Sequence, residues 1–422
     1  MRSASTSLLA PASFPAVPRG VLFFCLSLLG SLSACQGGPE DPPGLGHGLP
    51  VWTVEPELEI GSVDGPVVLG SVLTAAEGPD GTLHLLEFGE ARIQRFTPSG
   101  DPLPHLGQEG EGPGEFIRPS ALGWDDQGLW VLDTGANRLS WFDEEDELLE
   151  TLQWSSQRLD PGELAVRLGA PLGDGTFMGI SVTGARQIAQ GIITHTPLLR
   201  TDADESMVDT LAVTPVEGDL IQITENPAQG GMIHRHPFPT APIRQVLTGR
   251  PHRDPEVVLV EWEWEPEPVV HVLRRSVEGD TLSHTVLDVQ PIPIPAQRLE
   301  EEVERIAELY AQSSGGMPAQ ARSLVEEVLD APSYLRPVEE VLAGPQRAIW
   351  LQLAHLPEDG ADEETPGKDG ERWMELDASG EATRLLHLPP SWTLKWVGSD
   401  HIWAVQIDEL GVNTVVRARL VT

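Results

Sequence analysis

The chain is poor in cysteine, in basic residues and in long apolar runs, and each shortage removes a class of function. Only two cysteines occur in 422 residues. They are Cys25 and Cys35, both near the N-terminus, so the rest of the chain holds neither a disulfide nor a thiol nucleophile. Lysine and arginine total 27 against 65 aspartates and glutamates, a formal charge of −38. Such a surface repels nucleic acid and anionic head groups. Its plain reading is solubility, because no acidic cluster is dense and regular enough to prescribe a cation site. The one marked apolar stretch, Val21–Cys35, is too short for a stable membrane span. Familiar catalytic signatures are missing as well: there is no GxSxG, HExxH, CxxC, P-loop or GxGxxG opening a helix.

What is abundant is glycine, with 42 residues, and proline, with 38. Both suit many short strands joined by tight turns. The clearest unit is Gly107–Asp143. It runs from a glycine-rich loop, GEGPGEF, through LWVLD at Leu129–Asp133 to RLSWF at Arg138–Phe142. The two apolar runs are rich in strand formers, and Gly135 and Asn137 between them tolerate the positive φ of a hairpin turn. The unit repeats: a shift of 46 residues lays Leu83–Phe96 over Leu129–Phe142, with Glu87 on Asp133, Gly89 on Gly135 and Arg92 on Arg138. Fainter echoes are Ile349-Trp350 and Ile402-Trp403, which match Leu129-Trp130, and ASGEAT at Ala378–Thr383, which matches PSGDPL. A period of this size built from strands and turns predicts a β-propeller with one four-stranded sheet per repeat.

On these residues the chain resembles NHL-type propeller repeats, strongly over Gly107–Asp143 and fairly over Gly78–Gly100. It is also similar to uncharacterised bacterial six-bladed propeller lipoproteins. The resemblance implies an all-β six-bladed propeller and supplies no catalytic residues. Leu168–Val289 parses less clearly and leaves seven blades open. Asp133, Asn137 and Arg138 fall in the best-preserved part of the pattern. The first two are expected to bond turn backbone, and Arg138 to pair with an acid on a neighbouring blade.

Arg2 and Arg19 precede the apolar stretch, and small residues follow it, as in a secretory signal. Leu32-Ser33-Ala34-Cys35 resembles a bacterial lipobox, which implies a signal peptide over residues 1–34 and lipid on the Cys35 sulfur. Gln36 after the cysteine favours the outer membrane. Residues 35–50, rich in glycine and proline, are expected to form a flexible tether that includes His47. The propeller domain then covers 51–422. Val51–Ile60 is expected to close the ring by pairing with Val412–Leu420, which hides two open edges.

Blade four is expected over Asp219–Val289, with the tryptophans of EWEWE at Glu261–Glu265 packing between blades. The strand period then breaks. Leu299, Val303, Ile306 and Leu309 fall at helical spacing, and Ala321, Leu324, Val325 and Val328 form a second stripe, so a helical hairpin is inserted at 295–332. The polar stretch Pro357–Gly370 lacks the order of a calcium loop.

Five histidines are the remaining candidates for metal chemistry. His234 and His236 share a face if extended, and His84, His271 and His401 lie in strands. For each, the plain reading is a structural or solvated side chain, and no cofactor is assigned. The sequence therefore supports a binding or interaction module, expected to be monomeric, that takes a protein, peptide or glycan and reaches the membrane through its lipid. The alternative is a metal-dependent hydrolase or lyase working at the channel mouth, as among some proteins with NHL-like propellers.

Overall fold

A computed structural model describes residues 45–62, 67–154, 165–182, 188–190, 193–204, 206–216, 219–224, 232–250, 254–314, 317–355, 370–408 and 411–422. The signal segment, Cys35, the first part of the tether and most of Pro357–Gly370 lie outside the described residues.

The strands follow the short alternating runs of the sequence. After β1 (Val51–Ile60) come β2 (Val72–Glu77), β3 (Leu83–Glu87), β4 (Ile93–Phe96) and β5 (Pro102–Leu106), an antiparallel meander of four. The second meander is β6 (Pro119–Trp124), β7 (Leu129–Asp133), β8 (Arg138–Phe142) and β9 (Leu148–Gln153). The third is β10 (Ala165–Pro171), β11 (Phe177–Val182), β12 (His195–Thr201) and β13 (Met207–Pro215). A separate hairpin, β14 (Leu220–Ile223) with β15 (Met232–Arg235), precedes the fourth meander: β16 (Ile243–Leu247), β17 (Glu256–Glu263), β18 (Val269–Ser276) and β19 (Thr281–Asp288). Two helices follow, α1 (Ala296–Ser314) and α2 (Pro318–Val328). The chain ends with β20 (Val338–Ala343), β21 (Ile349–Leu353), β22 (Arg372–Leu376), β23 (Ala382–His387), β24 (Trp392–Val397), β25 (His401–Ile407) and β26 (Asn413–Val421).

The last seven strands and β1 form one eight-stranded sheet, in the order β20-β21-β22-β23-β1-β26-β25-β24. It consists of two meanders joined where β1 runs parallel to β23, Val51 opposite Leu385 and Trp52 opposite Leu386. On its other side β1 pairs antiparallel with β26, from Thr53 opposite Val421 to Ile60 opposite Val415. The expected closure by the first and last strands is therefore present, and the parallel contact with β23 adds to it.

The arrangement is all-β and propeller-like. First strands of neighbouring sheets lie against one another, β2 on β6 and β24, and β20 on β16 and β24. Buried apolar clusters join each meander to the next. Leu86 and Ala76 meet Leu122 and Trp124; Trp130 and Leu132 meet Leu168 and Phe177; Leu172 and Leu198 meet Val246 and Val257. Val258 and Val260 meet Val338 and Ile349, Trp350 and Trp373 meet Trp392 and Leu394, and Trp403 and Val405 meet Leu83 and Leu85. The last cluster returns the series to the first sheet. Burial of this apolar surface between sheets is the main favourable term holding the ring.

Four expectations need correction. The stretch from Asp219 does not enter the fourth meander. It forms β14 and β15, whose Ile221 and Ile223 pack on Val303, Ile306, Ala307, Ala311, Ala321 and Val325 of the two helices. The helical insertion is present, but its inner face turns toward Ala307 and Ala311, leaving Leu309 exposed. Arg138 pairs with an acid of its own meander, Asp133 at 3.8 Å, instead of one on a neighbouring blade, and its guanidinium donates to the carbonyls of Glu111 and Gly112, at 3.0 Å each, and of Glu115 in its own glycine-rich loop. The end of the tether is docked, with Leu45 and Leu49 against the core between the fourth and fifth meanders and Leu385 N–H donating to Pro50 O at 3.0 Å.

Asp133 does cap the turn as expected, accepting N–H groups of Ile117, Arg118, Gly135 and Ala136 at 2.8–3.1 Å. Trp262 packs on the core between the fourth and fifth meanders, and Trp264 lies 5.3 Å from Tyr334.

Candidate functional site at the mouth of the ring

Side chains gather where the first strands end. Glu77 closes β2, Arg250 follows β16, Gly344–Arg347 turn from β20 to β21, and Trp396–His401 turn from β24 to β25. Together they line a cavity of about 410 Å³.

At its centre His401 bonds a carboxylate through each ring nitrogen: Nε2 to Glu77 Oε2 and Nδ1 to Asp400 Oδ1, both at 2.8 Å. Two carboxylates on one ring require both nitrogens to donate, which is the imidazolium form. Burial opposes that charge, but the Glu77 and Asp400 hydrogen bonds outweigh it and raise the pKa above the ordinary histidine value. The bond from His401 in turn holds the Asp400 carboxyl below its usual range. Trp403 Nε1 donates to the same Glu77 oxygen at 2.5 Å, so Glu77 is held from two sides.

Trp396 lies against two cationic side chains. The Arg250 guanidinium lies 4.6 Å from its ring and the His401 ring 5.5 Å away, tilted by 36°. Gly398 makes this possible, since a Cβ there would sit 2.8 Å from Trp396 and 3.1 Å from His401 Cε1.

The segment Thr248–Arg250 crosses the mouth. Gly249 O accepts from Trp124 N–H at 3.2 Å, Thr248 Oγ1 donates to Pro171 O at 3.0 Å, and Arg250 donates to Ala343 O at 2.6 Å. These three residues thus tie the ends of β6, β10, β20 and β24 together. The backbones approach closely at Gly123, where a Cβ would lie 2.6 Å from Gly249 Cα.

On the far side of Arg250 and Arg347, which line both spaces, a cleft of about 940 Å³ opens over the turns of the second, third and fourth meanders. Arg347 reaches Asp254 Oδ2 at 3.0 Å, and with Gln346 it occupies left-handed backbone, φ +63° and +51°. Its carbonyl accepts from Arg274 at 2.6 Å. Arg274 is itself paired with Glu256 at 2.9–3.2 Å, both wholly buried. An uncommon turn conformation is thus fixed from beneath by a buried ion pair.

No family model and no curated protein matches the chain. Solved structures similar to it include a protein named as exported from Bacteroides fragilis, at 12% identity over 88% of this chain and 99% of that one, with a TM-score of 0.44. A member of the DUF4221 family from Bacteroides vulgatus is 11% identical over 87% and 98%, with a TM-score of 0.40. A virginiamycin B lyase from Staphylococcus aureus is 11% identical over 86% and 98%, with a TM-score of 0.39.

Of the five candidate histidines only His401 reaches the mouth. His84 is buried in β3, edge-on to Trp124 at 5.5 Å, and burial, assisted by Arg95, pushes its pKa down to about 4. His234 and His236 part company. His234 Nδ1 lies 2.6 Å from the Arg235 carbonyl, whereas His236 is buried and accepts from Phe238 N–H at 3.0 Å. His271 meets His284 across β18 and β19 at 3.3 Å. Among the described residues no three His, Cys, Asp or Glu side chains come together as a metal would need.

Sequence reasoning missed Glu77, Arg250 and Trp396. It also missed Lys395, on β24 next to Trp396. Burial lowers the pKa of this amine against the opposing pull of Glu340 and Glu371, and burial raises the pKa of both acids. Lys395 is one of only two lysines in the chain, with Lys368, and that rarity was a signal available from the start.

Proposed function

We propose that this protein is an exported, lipid-anchored, six-bladed propeller of the NHL type, working as a binding module whose ligand enters the mouth formed by Glu77, Arg250, Gln346, Trp396 and His401. Six blades follow if the eight-stranded sheet is counted as two, with β1 supplying the fourth strand of the last. Export and anchoring rest on the signal-like segment and on Cys35, and Gln36 favours the outer membrane. The ligand classes that fit are protein, peptide and glycan.

The observation that carries the binding reading is the way the mouth is held. His401 spends both ring nitrogens on carboxylates, which leaves its imidazolium no lone pair for a metal. Trp396, Arg250 and Glu77 are each fixed by a neighbour, as in a recognition surface whose ordering cost is met before the ligand arrives. A hydrolase or lyase would need a reactive group with an open position, and no particular observation favours one here.

The test is photo-crosslinking in the native envelope. Benzoylphenylalanine is placed at Gln346 in the mouth, and in a second strain at Gln320 on the exposed face of α2. The expected result is a discrete adduct from position 346 and none from position 320. Adducts from position 320 alone would move the site to the helical insertion.

A further inference from the structure

The larger cleft identifies the kind of ligand. Its lining includes the apolar side chains of Phe177, Leu152, Pro255 and Leu282; Leu282 is 39% exposed. Its rim carries six carboxylates, those of Asp125, Asp126, Glu150, Asp174, Asp254 and Glu278, against two arginines, Arg250 and Arg347.

The local arginines do not balance that charge. Asp174 pairs with Arg200 and Asp254 with Arg347. Glu150 accepts from the neutral side-chain amide of Gln127, at 3.1 Å. Asp125 is held by the indole of Trp141, at 3.1 Å, and by the N–H groups of Gln127 and Gly128. A surplus of negative charge and apolar side chains therefore line one cleft, which is the combination that selects a cationic and amphipathic chain over a free cation or a neutral one.

We propose that the cleft beside the mouth binds a basic peptide segment of a partner protein, with apolar side chains on Phe177 and Leu282 and Lys or Arg side chains toward Asp125, Glu150 and Glu278. This rests on the reading of the mouth as a binding surface and names the chemistry of its partner. About 940 Å³ accommodates several residues of extended chain. Turns that frame the cleft are closed by backbone hydrogen bonds, such as Leu172 N–H to Thr176 O at 2.9 Å and Ser276 N–H to Asp280 O at 2.8 Å.

The test uses the full-length lipidated chain in detergent and fluorescence anisotropy with two labelled peptides of equal length, one alternating Lys and Leu, the other Glu and Leu. The Lys-Leu peptide is expected to bind, and more weakly as salt rises from about 50 mM to about 300 mM. Glu150→Gln combined with Glu278→Gln is expected to weaken it about fivefold. Glu301→Gln combined with Glu308→Gln removes the same charge from the exposed face of α1 and is expected to change nothing.

Equal weakening by both pairs, or by neither, overturns the proposal, since the attraction would then belong to the acidic surface as a whole. Displacement by spermine as effectively as by unlabelled peptide of the same charge also overturns it, because the apolar side chains of the lining would then contribute nothing. Binding of the Glu-Leu peptide, lost in Leu282→Asp, overturns the basic class but keeps a binding mouth. Binding of neither peptide, with no adduct at position 346, removes the reading of the mouth as well.

Discussion

His84 and His401 show how much a single side chain's role depends on what the fold brings beside it. Both lie in strands with alternating apolar neighbours, and nothing local separates them in the sequence. In the structure one is sealed beside Trp124 with its Nδ1 lacking a hydrogen-bond partner among the described residues, and the other is gripped by two acids. Their effects on stability run in opposite directions. The His84 pKa falls from 6.5 to about 4. Between those values the unfolded chain binds the proton and the folded chain does not, so acidification through that window costs stability on the order of 3 kcal/mol. His84→Phe is expected to flatten the pH dependence of the urea midpoint between about pH 6.5 and about pH 4; an unchanged slope would show that His84 stays solvated. His401 has a raised pKa, so its contribution is complete below the ordinary histidine value and fades as pH rises through the raised one. Glu77 lies more than 300 positions from His401 in the chain, and no spacing rule could have paired them.

At the level of turns, more of the repeat was legible than was first evident. In the five meanders whose third and fourth strands are consecutive, the linking turn opens with Thr97, Asp143, Asp202, Ser276 or Asp377. The side chain of each accepts the N–H four residues on. The short polar side chain supplies a bond the backbone cannot make for itself. Gly100, Gly279 and Gly380, and Asp146 in their place, provide the left-handed residue before it. Read as a pattern of turns, the third and fourth repeats stand out where their strands, interrupted by β14 and β15, did not.

The pair Glu256–Arg274 belongs to this scale, since Arg274 also donates to the carbonyls of Arg347 and Asp377 and so ties the fourth meander to the fifth. Glu256→Gln is expected to cost about 3–5 kcal/mol in denaturant unfolding, because it strands a buried guanidinium. Replacing both partners together with leucine and methionine is expected to cost much less. Equal costs would show that the carbonyl contacts, not the ion pair, hold the joint.

Over the whole molecule, a terminal-strand closure was readable because Val51–Ile60 alternates ahead of the first repeat and a propeller is often closed by a terminal strand that completes the last sheet. The docking of Leu45 and Leu49 was not readable, because two leucines in a glycine-rich stretch give no period. The site followed the same division. The repeat pointed to Asp133 and Arg138, which hold turns in place, whereas the mouth is assembled from residues of four meanders, in turns that differ from one another. Among the described residues no helix is long and apolar enough to cross a membrane.

What most separates this account from a metal-dependent hydrolase or lyase is that the mouth acts through its own side chains. Elemental mass spectrometry of the purified full-length protein, before and after chelation, tests this directly. The account predicts no metal in stoichiometric amount and no change in the thermal midpoint on chelation. One equivalent of zinc, calcium or iron, removed by chelator and lost in His401→Gln, would contradict it.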